Sequence, residues 1–131
     1  MTHEITRYSL DKKIISNGVL SIINDGQVTT LIFKDSTIEV HSDDLYHPLI
    51  ALEKLRIILE TEYESIIACN GCRIDTSYRP TGGYGTYKII QGQPATERIN
   101  LFRPTNEIDK LCTVDEHTAA YKKWIDSLSG N

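Results

Sequence analysis

Three short apolar segments separated by two tight turns constrain this chain more than any other feature. Val19–Ile23 and Val28–Phe33 are rich in β-branched residues, and Asn24-Asp25-Gly26 stands between them. Thr37-Ile38-Glu39-Val40-His41 follows across Lys34-Asp35-Ser36 and alternates apolar with polar. Asn, Asp and Gly accept the backbone angles of a turn at little cost. Period-two alternation puts Ile38 and Val40 on one face of a strand, with Glu39 and His41 on the other. Connections this short join antiparallel neighbours, because a parallel crossover needs a dozen or more residues. The segment therefore predicts an antiparallel meander. Asn17-Gly18 reads as one more turn, bringing in an earlier strand near Thr6–Leu10 or Lys13–Ser16.

Two helices are predicted behind these strands. Pro48 suits the first helical position, where its missing N–H removes nothing. Leu49, Leu52, Leu55 and Leu59 recur at helical spacing, widened by Ile50, Ala51 and Ile58. Asp43 and Asp44 lie just upstream, where anions complement the helix dipole. The pattern fades around Tyr63, so Glu60, Glu62 and Glu64 fall at the end where anions are unfavourable. The second helix opens at Thr113-Val-Asp-Glu116, a capping box. It continues through Val114, Tyr121, Trp124 or Ile125, and Leu128, and Gly130 ends it. Between the helices, Ser65–Cys69, Thr86–Gln91 and Ile99–Phe102 read as short strands, and Arg103–Leu111 as irregular. The expected fold is one α+β domain over residues 1–131, an antiparallel sheet with two main helices packed on it.

With 131 residues the chain has the size of one domain and can fold without staples. No apolar run approaches the ~20 residues that cross a bilayer. Met-Thr-His-Glu-Ile-Thr-Arg has neither the apolar core nor the cleavage site of a signal peptide. Three cysteines cannot all pair, which predicts a reducing cytoplasm.

The net charge of −4 is unevenly spread. Residues 35–64 hold eight acidic residues against two basic ones, whereas residues 65–104 hold five basic against two acidic. Such polarity steers partners and leaves the fold undetermined. It equally describes two solvated faces.

No complete catalytic constellation is legible. Cys69-Asn70-Gly71-Cys72 has redox spacing, but a reactive first cysteine needs a helix N-terminus, and Arg73-Ile74-Asp75 follows instead. The simpler reading is a buried Cys69 and an Asn70-Gly71 turn. A zinc site from Cys69, Cys72, Cys112 and His117 has no standard spacing. His41 and His47 straddle Asp43 and Asp44, a set able to bind metal or move protons, yet each also fits a polar surface. Gly82-Gly83-Tyr84-Gly85 lacks the lysine and helix of a phosphate loop. No cofactor or metal is therefore expected. Arg73, Tyr78, Arg79, Tyr84, Tyr87 and Lys88 form the alternative functional set: a basic, aromatic loop for nucleic acid or a nucleotide. The acidic whole and the missing recognition motifs make nucleic acid the lesser expectation. Tyr and Arg also anchor protein interfaces.

Several motifs from Leu49 onward form a recurring pattern. They are Cys69-Asn70-Gly71, Tyr78-Arg79-Pro80-Thr81-Gly82, Gly83-Tyr84-Gly85, Thr86-Tyr87-Lys88, Ile99-Asn100-Leu101-Phe102 and Tyr121-Lys122-Lys123-Trp124. The segment Leu49–Phe102 and the helix Thr113–Leu128 resemble small bacterial immunity proteins of polymorphic toxin and contact-dependent growth inhibition systems. Cys72 stands where that pattern has a small residue. The resemblance implies a protein with no active site that covers or locks a cognate toxin domain, often a nuclease. An acidic set of Asp43, Asp44, Glu60, Glu62 and Glu64 would steer onto a basic cleft. Arg73, Tyr78, Arg79 and Tyr84 would supply anchors.

Overall fold

The computed structural model describes residues 1–80 and 83–129. The expected Gly82 and Gly130 turn and cap positions, and Thr81, lie outside the described residues. In chain order the elements are β1 (Thr2–Ser9), β2 (Ile14–Asn24), β3 (Thr29–Lys34), β4 (Glu39–Asp44), α1 (Pro48–Tyr63), β5 (Ser65–Ile67), β6 (Gly85–Tyr87), β7 (Arg98–Asn100) and α2 (Val114–Ser127). Five strands form one antiparallel sheet in the order β4-β3-β2-β1-β5, and β6 pairs with β7. The α+β fold and the meander are as the sequence implied.

The earlier strand is β1, Thr2–Ser9; Ile14–Ser16 is the first part of β2 and not a strand of its own, and Asn17-Gly18 does not turn the chain. It lies inside β2, where Thr6 faces Asn17 and Ile5 faces Gly18. A Cβ at Gly18 would lie 2.6 Å from the Phe33 ring and 2.7 Å from the Lys34 carbonyl. The glycine is there to admit Phe33. The real turn runs between Ser9 and Lys13, whose backbones bond at 2.8 Å, with Lys12 at φ 66°. The next two turns follow the expected chemistry. Asn24 Oδ1 accepts the Gly26 N–H at 2.8 Å, and Gly26 takes φ 103°. Asp35 Oδ1 accepts the Thr37 and Ile38 N–H groups, both at 2.9 Å. Those bonds keep Thr37 and Ile38 in the turn, so β4 starts later than the alternation suggested and runs on to Asp44.

The inner face of the sheet presents Ile5, Leu20, Ile22, Leu31, Phe33 and Val40, all buried. The α1 stripe of Leu49, Leu52, Leu55 and Leu59 belongs to the same core. Truncating one such leucine to alanine costs about 2–5 kcal/mol. The other face carries Glu4, Val19, Ile23, Glu39, His41 and Asp43, all exposed. A buried ion pair bolts the sheet: Arg7 Nε meets Asp35 Oδ2 at 2.8 Å. Arg7 also bonds Ser65 on β5 and Thr37, while Ser16 on β2 donates to Asp35. Four segments are thereby tied at one point.

After β5 the chain makes a single 3₁₀ turn, Asn70–Cys72. A Cβ at Gly71 would sit 2.4 Å from Leu52 Cδ2, so the turn can approach α1 only with glycine. β6 and β7 are shorter than the expected strands. Lys88 and Ile90 leave the ladder for single bridges to Thr76 and Gln93. Leu101 and Phe102 turn into the core, with the Phe102 N–H held by Asn100 Oδ1 at 2.9 Å. The α2 capping box is complete: Glu116 N–H reaches Thr113 Oγ1 at 3.2 Å, and Thr113 N–H reaches Glu116 Oε1 at 2.9 Å. Among the described residues no helix is long and apolar enough to cross a membrane.

Candidate functional site

The five acidic candidates divide into two kinds. Asp43 is exposed on β4 and has no ion pair among the described residues, and Glu62 and Glu64 are exposed at the end of α1. Asp44 and Glu60 are occupied. Asp44 meets Lys54 Nζ at 3.2 Å and accepts the His47 N–H at 3.1 Å. Burial opposes its charge, but the bonds from Lys54, His47 and Tyr46 win and hold its carboxyl below the usual range. Glu60 accepts the first N–H of α2, from Val114, at 3.1 and 3.2 Å. The anion that looked misplaced at the end of α1 sits at the start of α2, the favourable place. Partial burial raises its pKa, against the pull of Arg56 and the Val114 N–H. Glu64 closes α1 in the left-handed conformation, φ 47° and ψ 48°, and its N–H bonds the Leu59 carbonyl.

The basic and aromatic candidates do not share an exposed face. Of Arg73, Tyr78, Arg79, Tyr84, Tyr87 and Lys88, only Arg79 is exposed. Arg73 is 6% exposed. It grips Asp75 through Nε at 2.8 Å and Nη2 at 2.6 Å, and Nη2 also meets Glu107 at 2.6 Å. The sequence suggested a surface anchor; two carboxylates instead pull it inward as a brace for the loop. Lys88 pairs with Glu97 at 3.7 Å. Tyr84 packs edge-on against Phe102, with centroids 5.4 Å apart. Tyr78 packs edge-on against His117 at 4.8 Å. Burial first, then the Glu53 carboxylate, push its phenol up.

Beneath this loop lies a cluster built on Arg56, one of the two basic residues of the acidic 35–64 stretch. Arg56 is 2% exposed. Its Nη1 donates to the Gly71 carbonyl at 3.1 Å and to His117 Nδ1 at 2.8 Å, and its Nη2 to the Cys112 carbonyl at 3.0 Å. His117, fully buried, donates from Nε2 to the Thr76 carbonyl at 2.9 Å. Burial and the Arg56 charge push the His117 pKa down to about 3, so the ring is neutral. Two signals pointed here. Arg56 is a cation on the leucine stripe between Leu52 and Leu59, and His117 lies on the apolar stripe of α2.

The four residues weighed as a zinc set do converge, but the cation among them is the Arg56 guanidinium. Among the described residues no group of three or more His, Cys, Asp or Glu is arranged to hold a metal ion. Cys69 and Cys72 are fully buried, with sulfurs 3.5 Å apart. The Cys69 hydrogen bond and the Arg56 charge pull Cys72 down, and the same contact with burial pushes Cys69 up. Burial pushes Cys112 up to about 12. A thiol attack on a dissolved substrate needs an accessible thiolate. These sulfurs have no surface to offer. His41 bonds Glu39 at 2.7 Å and faces solvent, apart from Asp44, which belongs to the His47 loop.

α2 keeps Val114, His117 and Trp124 buried, yet leaves Ile125 and Leu128 exposed at 42% and 41%. These two border a groove that the sequence, reading the stripe as core, did not reveal. No protein-family model, curated protein or solved structure matches the chain.

Proposed function

We propose that this chain is an immunity protein. It binds and neutralises a cognate toxin domain in the cytoplasm by protein–protein contact, with no chemistry of its own. The single observation that carries the reading is that Asp43 on β4, Glu62 in the last turn of α1 and Glu64 just past it are exposed and make no ion pair among the described residues; in this reading they form an acidic rim. Its complement is a basic surface, such as the cleft of a nuclease that grips a phosphate backbone. Asp44 and Glu60 support the rim from behind by fixing the β4–α1 loop and the start of α2. Arg79 and the half-buried Tyr84 remain available as anchors, whereas Arg73 and Tyr78 act inside the loop. Pairing of Arg73 and Lys88 with carboxylates weighs against the nucleic-acid alternative.

Charge reversal tests the reading. Asp43→Lys with Glu62→Lys should slow association with the toxin domain by about tenfold or more at low salt, with a smaller effect on dissociation. Stopped-flow association rates over a salt series give the answer. Equal rates for both proteins at every salt concentration would remove the acidic rim from the mechanism.

A further inference from the structure

The groove beside α2 has the make-up of a small-ligand site. It encloses about 460 Å3, within the range of ligand pockets. Its walls are the aromatic rings of Tyr87, Tyr121 and Trp124 and the aliphatic side chains of Ile125 and Leu128, with Arg79 among the lining residues. Of the larger hollows, the one on the open sheet face is lined instead by Glu4, Thr6 and Asn17.

The groove is held open by bonds that fix its walls. Trp124 Nε1 donates to the Ile90 and Gln93 carbonyls, at 3.0 and 2.9 Å. The Gly92 N–H bonds Ser127 Oγ at 2.9 Å, so the 90–93 turn is stapled to α2 at two points. These bonds also decide what the groove can recognise. The indole N–H is consumed, so Trp124 offers only its ring. Ser77, on the opposite wall, is engaged with Thr86 Oγ1 at 3.0 Å and with the Tyr87 N–H at 3.3 Å. That leaves Arg79 as the charged donor, exposed and without an ion pair among the described residues. Lys122 and Lys123, both exposed on α2, add positive charge nearby. A guanidinium pairs with a carboxylate through two parallel hydrogen bonds, and aromatic walls favour a flat apolar body.

From this we infer that the groove between α2 and the residues Ser77, Arg79, Pro80, Tyr87 and Ala95 binds a small aromatic carboxylate, with its ring on Tyr121 and Trp124 and its carboxylate on Arg79. The groove uses none of Asp43, Glu62 and Glu64 and shares only Arg79 with the proposed toxin contacts, so ligand binding is measured on the protein alone, without a toxin domain.

Trp124 is the sole tryptophan of the chain, so the groove contains its own reporter. The test titrates the intact protein with 3-phenylpropionate and, separately, with the uncharged analogue 3-phenylpropanol, following Trp124 emission. A saturable change with the acid, about fivefold to tenfold tighter than with the alcohol, is the expected result. Arg79→Gln should bring the two affinities together. Arg79 is exposed, so this variant should keep the fold, as an unchanged urea midpoint verifies. Ile125→Asp, which puts an anion in the apolar wall, should weaken both ligands. The proposal is overturned by an unsaturable signal with the acid up to about 10 mM, by equal affinities for acid and alcohol in the unaltered protein, or by an acid preference that survives Arg79→Gln.

Discussion

Arg56 on α1 donates through Nη1 to His117 Nδ1 on α2 at 2.8 Å, both side chains being buried. This bond joins the two helices under the loop that holds Cys69, Cys72 and Thr76. Truncating one partner leaves polar groups in a dry interior without partners. Arg56→Ala should destabilise the fold by about 3–5 kcal/mol. Urea denaturation measures it, and a loss below about 1 kcal/mol, the range of exposed pairs, would refute the hub.

Burial of His117 beside the Arg56 charge makes stability depend on pH. The folded protein holds His117 at about 3, against about 6.5 in an unfolded chain. Its contribution is fully present above about 6.5 and is lost as the pH falls towards about 3, because the unfolded state then binds the extra proton. Glu60, whose pKa is raised, works in the opposite sense near its own titration and blunts the fall. Urea midpoints should drop between about pH 6.5 and 4 in the wild type and much less in His117→Gln, even if that variant starts lower. Parallel curves would exclude His117 as the cause.

Arg7 and Asp35 define a second window. Burial works against the Asp35 charge, but Ser16, the Thr37 and Ile38 N–H groups and Arg7 outweigh it and hold the carboxyl well below the usual range. That stability is present above about pH 4 and is lost as the pH falls further. Asp35→Ala should cost about 3–5 kcal/mol and leave the Arg7 charge stranded. Arg7→Met in the Asp35→Ala background should recover part of the loss, which a double-mutant cycle reads directly. Simple additivity would mean the two side chains act separately.

Glu64 ends α1 at φ 47° with an exposed side chain that makes no hydrogen bond or ion pair among the described residues to offset the strain. Glu64→Gly should raise stability by about 1 kcal/mol, since the left-handed conformation is free for glycine. A lower thermal midpoint would contradict the geometry of the cap. Gly18→Ala should act in the opposite direction, by about 1–3 kcal/mol, because its Cβ would collide with the Phe33 ring.

Local chemistry made much of this fold legible. The Asn24 and Asp35 turns, the Pro48 start and the Thr113 capping box each rest on residues a few positions apart. Asn17-Gly18 misled because the reason for that glycine, the ring of Phe33, is supplied by another strand. Lys12 turns the chain with φ 66° and carries no turn signature. The interface set divided for the same reason. Whether Arg73 is an anchor or a brace depends on Glu107, and whether Glu60 is misplaced depends on Val114, both far along the chain. Arg56 and His117 were visible as polar residues on apolar stripes, but their meeting was not.

The most direct test of the immunity reading is growth. The chain would be co-expressed with the C-terminal domain encoded by the neighbouring open reading frame, and the pair purified at low and high salt. The account predicts rescued growth and a complex that weakens as salt rises and when Asp43 and Glu62 are reversed. Unrescued growth with no complex at either salt would contradict it.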